Sequence, residues 1–432
     1  MKLVTVIGTG YVGLTTAACL TRLGHSVWAT DVNEAKVARL AEGTVDIVED
    51  RLPELVRQGL ASGRLRFGSD NAAAVREADF VFLCLPTPQG VDGRADMSYV
   101  QAVATEIGPH LREDVVVVNK STVPVGSTRV VERALGRPGL AVVSNPEFLR
   151  EGSAVHDFLH PDRIVIGADD ESAAIKVSSL FLKTSAPLVI CDPPSAETIK
   201  YASNAFLATK VSFVNAVAAL CEAVGADIRQ VVLGMGYDRR IGSEFLRPGP
   251  GWGGSCFPKD TAALIRLADD AGYSFGLLDG VVSVNAEQYG RVVDKAKRLA
   301  GGGLAGMTVA LWGLTFKART NDLRDSPAIT IARQLMSAGA VVQAYDPTVS
   351  VEGAGSAWSG FLDGIGLSED PYSACEGADV LVVGTEWDEF RWLDFDKVAS
   401  VMARPAVVDA RNLLEPAAMH RAGFTYEGIG IP

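Results

Sequence analysis

One cysteine of this chain stands in a loop rich in glycine and proline, beside residues that could support nucleophilic chemistry. The segment 248–260 reads Pro-Gly-Pro-Gly-Trp-Gly-Gly-Ser-Cys-Phe-Pro-Lys-Asp, so Cys256 is followed closely by Lys259 and Asp260. Glycines allow the backbone to approach a ligand, and a nearby lysine favours the thiolate, the nucleophilic form of cysteine. A free cysteine is as often a small buried apolar residue. On this segment alone, a nucleophile and a packing residue are equal alternatives.

The N-terminal segment indicates a dinucleotide site. Leu3–Ile7 predicts a buried strand, Gly8-Thr9-Gly10-Tyr11-Val12-Gly13 follows at once, and Leu14–Leu23 predicts a helix. A second strand, Ser26–Thr30, is closed by Asp31, the acid expected about 20 residues after the glycines. The glycines would admit a pyrophosphate to the helix N-terminus. Asp31 would bind the ribose hydroxyls and repel a 2′-phosphate, which favours NAD over NADP. A glycine-rich turn in an unrelated α/β unit is the alternative.

Two further strands end in threonines. Ala78–Leu85 and Val115–Asn119 are apolar runs, and Thr87 and Thr122 follow them. Ligands of open parallel sheets bind beyond the carboxyl ends of the strands, so both threonines are candidate cofactor neighbours. Ordinary turn or helix-capping residues would look the same.

The C-terminal part repeats the pattern of the first. Apolar runs at 307–312, 340–345, 378–383 and 406–409 predict strands, and 327–337 predicts a helix. Asp346 closes its strand as Asp31 closes the second strand. The complete glycine fingerprint is missing. The sequence therefore predicts a second doubly wound unit, which would hold a second nucleotide-like ligand or serve only as scaffold.

A long helix is predicted between the two units, at Ser195–Val224, with Ser195 as its N-cap. Lys200 and Asn204 lie four residues apart and share one helix face, although a helical lysine is more commonly a solvated charge. The predicted fold is α/β, with two doubly wound Rossmann-like domains joined by a long central helix. The predicted domains are 1–193, 194–300 and 301–432, and the central helix offers a dimer surface.

Composition excludes several classes of function. The net charge of −12 and the absence of a basic run argue against nucleic acid. The six cysteines form no C-x-x-C pair and histidine is scarce, so we expect no metal site. Scattered cysteines fit a reducing compartment. No apolar run approaches the roughly 20 residues of a membrane span, and the N-terminus lacks a signal peptide. We therefore expect a soluble cytoplasmic protein that binds no membrane.

Together the motifs resemble the UDP-glucose/GDP-mannose dehydrogenase family over essentially the whole chain. They occupy residues 8–13, 121–128, 145–152, 197–206, 253–260 and 313–317. The resemblance implies oxidation of a primary alcohol of a nucleotide sugar to a carboxylate, with two NAD+ reduced per sugar and UDP-glucose as the substrate. The alternatives are GDP-mannose or a UDP-N-acetylhexosamine and, from another class, a catalytically silent NAD-binding scaffold or sensor.

The resemblance also assigns catalytic roles. The residues concerned are Cys256, Lys200, Asn204, Asp260, Glu147 and Thr122. Cys256 would carry a thiohemiacetal and then a thioester. Lys200, assisted by Asn204, would stabilise the developing oxyanion. Asp260 would organise water and base chemistry, and Glu147, with Thr122 nearby, would serve thioester hydrolysis. The intact set of Cys256, Lys200, Asn204 and Asp260 argues against a silent scaffold.

Binding residues follow from the same resemblance. The implied NAD contacts are Gly8, Gly10, Tyr11, Val12, Gly13, Asp31, Lys36, Thr87, Thr122, Glu151, Lys259 and Arg324. The implied sugar and diphosphate contacts are Phe148, Leu149, Arg150, Glu151, Lys200, Asn204, Arg240, Phe245, Leu246, Arg247, Pro248, Gly249, Gly253 and Lys317. Arg240 would reach the substrate of the other subunit in a homodimer. Surface salt bridges would explain Lys36 and Arg324 equally well. Cations concentrated at the site would hold an anion on an acidic protein.

Overall fold

The structure, a computed structural model, describes residues 1–90, 95–349 and 359–431. The chain forms two compact units. Unit 1 comprises Met1–Ser203 with Ala262–Gly272, and unit 2 comprises Asn204–Thr261 with Tyr273–Pro432. The division into domains 1–193, 194–300 and 301–432 stays a prediction.

Unit 1 is built on a sheet of eight strands. They are β1 (Leu3–Ile7), β2 (Ser26–Thr30), β3 (Leu65–Gly68), β4 (Phe80–Leu83), β5 (Val116–Asn119), β6 (Ala141–Ser144), β7 (Ile164–Gly167) and β8 (Leu188–Cys191). The spatial order is β3-β2-β1-β4-β5-β6-β7-β8, and the pairs are parallel except β6 with β7. The first six strands thus follow the order of a dinucleotide-binding doubly wound sheet.

Helices surround this sheet. They are α1 (Tyr11–Arg22), α2 (Glu34–Ala41), α3 (Leu52–Ala61), α4 (Asn71–Val75), α5 (Ser98–Ile107), α6 (Ser127–Leu135), α7 (Ala154–Leu159) and α8 (Glu171–Ser178). Two apolar clusters form the core, one containing Leu14 and Phe82 and the other Val81 and Ile107. Phe82 and Val81 are neighbours on one strand and therefore point to opposite sheet faces. Burial on both faces explains why the central strands are unbroken apolar runs.

Unit 2 contains a second parallel sheet. Its strands are β9 (Thr308–Trp312), β10 (Val341–Tyr345), β11 (Gly366–Leu367), β12 (Val380–Val383), β13 (Ala406–Asp409) and β14 (Thr425–Gly428), in the order β11-β10-β9-β12-β13-β14. The remaining helices are α9 (Pro193–Val224), α10 (Ile228–Gly236), α11 (Phe257–Asp270), α12 (Gly276–Leu299), α13 (Pro327–Ser337), α14 (Phe395–Val401) and α15 (Pro416–Arg421). The second sheet repeats the strand order of the first, which confirms the two doubly wound domains joined by a long helix.

The joining helix α9 begins two residues before the predicted N-cap. Asp192 precedes it and accepts hydrogen bonds from the Ser195 N–H at 2.9 Å and the Ser195 hydroxyl at 2.8 Å. Pro193 and Pro194 occupy the first turn, where proline is favoured because no intrahelical N–H is needed. The prediction of Ser195 as the N-cap is therefore wrong.

Helix α9 is also long and apolar enough to cross a bilayer, judged by length and composition within the described residues. This differs from the expectation that no apolar run reaches that length. One such helix is weak evidence for a membrane span, because core helices of soluble proteins satisfy the same criteria.

Candidate active site

The glycine turn after β1 in unit 1 leaves room for a ligand at one position only. A Cβ added at Gly13 would collide with the carbonyl oxygen of Gly8, whereas no atom lies within 4 Å of a Cβ added at Gly10. Gly10 is the N-cap of α1 and has no side chain to cover the helix N-terminus. A pyrophosphate can therefore approach free N–H groups there, and the residues present fit a dinucleotide.

Asp31 at the end of β2 is held as a carboxylate. It accepts hydrogen bonds from the Thr9 N–H at 3.0 Å, the Thr9 hydroxyl at 2.6 Å and the Asn33 N–H at 3.1 Å. Burial raises the pKa of Asp31, but these hydrogen bonds and the charge of Lys36 lower it below its ordinary value. Lys36 Nζ lies 3.3 Å from Asp31 Oδ2, so the lysine neighbours the predicted ribose site through an ion pair. A fixed negative charge here disfavours a 2′-phosphate.

The structure brings the two strand-end threonines of unit 1 together. The Thr87 hydroxyl donates to the carbonyl oxygen of Thr122 at 2.7 Å. Their strands, β4 and β5, are direct neighbours in the sheet, so both residues lie at one carboxyl edge. This is the edge at which a ligand of a parallel sheet binds.

A buried ion pair lies after β6. Lys200 Nζ is 2.8 Å from Glu147 Oε1, and both side chains are almost inaccessible to solvent. Glu147 Oε2 also accepts the Leu149 N–H at 2.6 Å. Burial raises the pKa of Glu147, but Lys200, this N–H and Lys120 lower it below the ordinary value for glutamate. Lys200 is therefore not the solvated helix lysine that its sequence context allowed.

Sequence reasoning missed a second buried lysine beside this pair. Lys120 Nζ lies 3.2 Å from Asn145 Oδ1 and 3.4 Å from the Asn145 carbonyl oxygen. Burial lowers the pKa of Lys120. Its position directly after β5, at the carboxyl end of a strand, was the available signal. The carboxylate Glu197 was missed as well: it accepts the N–H groups of Gly126 and Thr128 at the start of α6.

The Phe148 loop, residues 148–152, continues from the ion pair. The Phe148 ring has Lys200 Nζ 5.5 Å from its centroid and the Arg163 guanidinium 3.6 Å from it. Arg150 forms an ion pair with Asp157 at 2.7 Å. Leu149 is tied to Glu147 as described above, and Glu151 stands in the same loop. Four predicted substrate contacts, residues 148–151, therefore follow directly on Glu147 of the buried ion pair.

In unit 2, Cys256 is the residue immediately before α11. The Asp260 N–H donates to the Cys256 carbonyl oxygen at 2.9 Å, which opens the helix, and Ser255 Oγ lies 3.6 Å from Cys256 Sγ. Cys256 is only partly buried. A helix N-terminus favours negative charge, so this position suits a reactive thiolate better than a packing residue.

Asp260 is fully buried and its two oxygens are bound separately. Asn204 Nδ2 donates to Oδ2 at 2.6 Å, and Lys259 Nζ lies 2.6 Å from Oδ1. Three predicted site residues thus form one hydrogen-bonded group, one turn of helix after Cys256. Asn204 lies one turn after Lys200 on α9.

Amide and hydroxyl side chains hold the cysteine loop, residues 248–256. Asn215 accepts the Gly249 N–H at 2.9 Å, and Gln288 donates to the Gly249 carbonyl oxygen at 2.8 Å. Asn285 Oδ1 accepts the Trp252 N–H at 2.8 Å. These side chains come from α9 and α12. The loop backbone is therefore fixed by buried hydrogen bonds, not left mobile.

The cysteine loop also packs on the strand ends of the second sheet. A Cβ at Gly253 would collide with the Asp325 carbonyl oxygen, and one at Gly254 would lie within 3.0 Å of the Phe316 ring. Phe316 precedes the predicted contact Lys317. Arg411, which sequence reasoning missed, donates to the Phe316 carbonyl oxygen at 2.8 Å.

Several predicted residues stand apart from these groups. Arg240 is exposed and pairs with Asp238 at 2.6 Å, and Arg324 pairs with Asp322 at 2.6 Å. Phe245 has a positive φ of 61°. Leu246 is buried, Arg247 exposed and Pro248 half-buried. Val12 packs against the core of unit 1.

No group of three metal-ligating residues occurs in the part of the chain that the structure describes.

Comparison with known proteins covers the whole chain. Sequence models of the UDP-glucose/GDP-mannose dehydrogenase family match in order: the NAD binding domain at 2–185, the central domain at 194–287 and the UDP binding domain at 310–416. The chain belongs to the UDP-glucose/GDP-mannose dehydrogenase family. It is an NAD-dependent dehydrogenase with a nucleotide sugar as substrate.

Individual relatives agree with the family match. A UDP-glucose 6-dehydrogenase of Rhizobium meliloti is 46% identical, with 99% of each chain covered. One from Bacillus subtilis is 43% identical, over 100% of this chain and 94% of its own. The structure of a UDP-glucose dehydrogenase from Pyrobaculum islandicum matches with a TM-score of 0.91 at 38% identity, covering 100% of this chain and 98% of its own.

Alanine substitutions at Gly10 and Gly13 of the glycine motif should affect different properties, cofactor binding in one variant and stability in the other. Gly13→Ala should lower the free energy of unfolding by about 1–3 kcal/mol, because its methyl group meets backbone. Gly10→Ala should leave stability unchanged and raise the KM for NAD at least about tenfold, because the methyl group occupies ligand space. Urea unfolding and steady-state kinetics test this. Equal stability losses in both variants would contradict it.

Removing Lys200 should reverse the direction in which the contribution of Glu147 to the free energy of unfolding changes with pH. In the wild type the lowered pKa of Glu147 adds stability above the unfolded-state pKa, and this is lost as pH falls. In Lys200→Met, burial raises the folded-state pKa instead, so the loss of about 3–5 kcal/mol applies at neutral pH and shrinks on acidification. Urea unfolding near pH 5 and pH 8 measures the slope in Lys200→Met, and further points below about pH 4, where an unfolded glutamate is protonated, measure the wild-type slope.

The matched control is Lys297→Met, which removes a partly exposed lysine paired with Asp294, and should cost less than about 1 kcal/mol. Lys200→Met/Glu147→Gln should regain part of the stability at neutral pH. A pH-independent loss in Lys200→Met would show that the ion pair does not set the charge of Glu147.

Proposed function

We propose that this protein oxidises UDP-glucose to UDP-glucuronate through a thiohemiacetal and a thioester on Cys256. The single observation that carries the proposal is the partly exposed Cys256 at the start of α11, one turn before the Asn204–Asp260–Lys259 group. The family membership and the full-length similarity to UDP-glucose 6-dehydrogenases support the choice of substrate. An alcohol dehydrogenase that stops at the aldehyde would need no nucleophile.

The chemistry divides a four-electron oxidation into steps that a cysteine can hold together. Bound NAD+ supplies the hydride acceptor for each oxidation, so two molecules of NAD+ are reduced per sugar. In the first step the C6 hydroxyl loses its proton and C6 loses a hydride, which gives an aldehyde. The Cys256 thiolate then bonds to the aldehyde carbon, and the oxygen takes a proton to form the thiohemiacetal. Loss of that proton and of a second hydride gives the thioester. Water adds to it and gives up its two protons to solvent, the C–S bond breaks, and the Cys256 thiolate and the sugar carboxylate are formed.

Charged side chains would serve distinct steps. Lys200 would place its ammonium at the oxygen that becomes negative, where a fixed charge stabilises the transition state, and Asn204 would assist. Asp260, held in one orientation by two donors, would receive and return protons through water. Glu147, with Thr122, would orient the hydrolytic water. The lowered pKa of Glu147 supports a carboxylate that is ionised at neutral pH.

Two loops would bind the nucleotide sugar. The Phe148 loop would contact the sugar, and the cysteine loop with Lys317 would contact the diphosphate and the nucleotide. NAD would lie on Gly8, Gly10 and Gly13, with its ribose on Asp31. None of the six cysteines forms a disulfide bond within the described residues, which supports a reducing compartment such as the cytoplasm.

We further propose a homodimer built on α9. Phe206, Phe213 and Leu220 stand seven residues apart and are 63%, 52% and 59% exposed. A seven-residue apolar repeat is typical of a helix that packs on a partner helix, and two-fold dimers are the commonest assembly. Arg240, with its side chain 89% exposed, would reach the substrate of the partner subunit.

UDP-glucose with excess NAD+ should yield two NADH and one UDP-glucuronate per sugar, because the aldehyde stays bound to Cys256. Absorbance at the NADH band and chromatography of the nucleotide sugars measure the ratio. GDP-mannose and UDP-N-acetylhexosamines, assayed in parallel, test the other substrates. One NADH with free aldehyde, or no turnover of any nucleotide sugar, would overturn the proposal.

In the same assay Cys256→Ser should lower the rate of the second oxidation at least about a thousandfold, because alkoxide is a poorer leaving group than thiolate. Cys191→Ser is the matched control, since Cys191 is likewise a partly buried cysteine outside any disulfide, and it should keep the wild-type yield. Full activity of Cys256→Ser would show that Cys256 is only a packing residue.

Mixing two variants, one with a weakened substrate site and one without the nucleophile, should restore complete sites in mixed dimers. Arg240→Ala should raise the KM for UDP-glucose at least about tenfold and leave the KM for NAD unchanged. After subunit exchange with Cys256→Ala, about a quarter of the sites should be intact, because half the dimers are hybrids with one complete site each. Arg239→Ala, at the neighbouring position, is the control. No recovery after verified exchange, or a fully active monomer, would contradict the shared site.

A further inference from the structure

One buried carboxylate of unit 1 belongs to no predicted site but touches two of them. Glu49 Oε2 accepts the Tyr11 hydroxyl at 2.9 Å and the Gly152 N–H at 2.7 Å. Its Oε1 accepts the Val155 N–H at 3.4 Å, in the first turn of α7. Tyr11 is part of the glycine motif and opens α1, and Gly152 ends the Phe148 loop. A single carboxylate therefore joins the start of the cofactor helix to the end of the substrate loop.

Glu49 reaches this junction from a segment that contributes nothing else to either site. It lies between α2 and α3, and Arg51, two residues on, has a left-handed φ of 62°. Such a conformation is unusual for a residue with a side chain. The carboxylate also stands at the N-terminal end of α7, where negative charge is favourable.

Burial and the neighbouring carboxylates keep the Tyr11 hydroxyl protonated, so it acts as a hydrogen-bond donor. Burial raises the pKa of its phenol, and the carboxylates Glu49, Glu151 and Glu147 raise it further. The hydroxyl therefore keeps its proton and its hydrogen bond to Glu49. Burial raises the pKa of Glu49 as well, partly offset by the hydrogen bonds from Tyr11, Val155 and Gly152.

We propose that Glu49 is a positioning residue that couples binding of NAD to binding of the nucleotide sugar, an inference that rests on the proposed function. A shift of the Phe148 loop on sugar binding moves the Gly152 N–H. The Glu49 carboxylate moves with this N–H, because loss of the hydrogen bond would leave a buried polar group unsatisfied. The Tyr11 hydroxyl, at the N-terminus of α1, moves with Glu49 for the same reason. Each ligand thereby favours the conformation that the other needs, and the coupling must be reciprocal.

The test measures NADH affinity by fluorescence titration, with and without saturating UDP-glucose, a combination that cannot turn over. In the wild type we expect UDP-glucose to change the Kd for NADH by a factor in the range of about 5–150. Glu49→Gln should bring that factor close to one, because an amide N–H would face one of the donors that Glu49 now accepts. Tyr11→Phe removes only the phenol bond, so it should reduce the factor and leave the fold intact.

Glu54→Gln is the matched control: Glu54 is an exposed carboxylate on α3 that pairs with Gln58, and its loss should leave the factor unchanged. A residue that only stabilises the fold would lower the melting temperature without changing the factor. If Glu49→Gln does not fold, Tyr11→Phe decides. An unchanged factor in Tyr11→Phe, or no coupling in the wild type, overturns the proposal. The NADH yield of the wild type from UDP-glucose reports separately on the proposed function.

Discussion

The buried pair of Glu147 and Lys200 is the interaction on which the site in unit 1 depends. Removing two charges from water costs several kcal/mol for each ion, which their attraction offsets only when the geometry is good. Here the atoms are 2.8 Å apart, and the second carboxylate oxygen is also bound. The result is a carboxylate that stays ionised despite burial and an ammonium whose position on α9 is fixed. Charge held in place before reaction needs no reorganisation when an oxyanion forms. Lys120 lies beside the pair and helps to lower the pKa of Glu147, so Glu147 would keep a basic neighbour if Lys200 serves a substrate oxygen as proposed.

The two units repeat one turn but use its aspartate differently. Asp31 accepts the N–H and hydroxyl of Thr9, and Asp346 accepts the N–H and hydroxyl of Thr315 in the same way. Asp346 is almost completely buried and also binds Thr348 and the Trp387 indole, so its oxygens are occupied within unit 2. Asp31 keeps partial exposure and therefore has capacity for a ribose hydroxyl. The aspartate that a sequence comparison would equate with Asp31 serves the fold in unit 2, and a ligand of that unit must bind through other groups.

The sequence predicted the architecture well because the apolar runs are long and the turns between them carry glycine. Pro327–Ser337 was predicted with the bounds it has, and β1 and β2 likewise. The predicted start of α9 at Ser195 was wrong, because Asp192 can also cap a helix and the two prolines after it are favoured in the first turn. Among the site residues, Thr87 with Thr122 and Asn204 with Asp260 were predicted singly, and their contacts required the fold. Lys120 had a usable signal at a strand end. Glu49 had none, because its partners lie 38 and 103 residues away and its own segment has no regular structure.

Glycine serves opposite purposes in the two loops that matter most here. In the cysteine loop, Gly253 and Gly254 are required because backbone and an aromatic ring of unit 2 already occupy the space that a Cβ would take. With the hydrogen bonds from α9 and α12, that contact holds the loop in one conformation, and a nucleophile benefits from a fixed position because misplacement by about 1 Å is costly in rate. Gly10 has empty space where its Cβ would be, and that space is open to a ligand. A motif written in glycines therefore does not distinguish a packed backbone from a binding surface. The distinction lies in what surrounds each glycine: among Gly8, Gly10 and Gly13, an added Cβ meets other atoms at Gly8 and Gly13 and open space at Gly10.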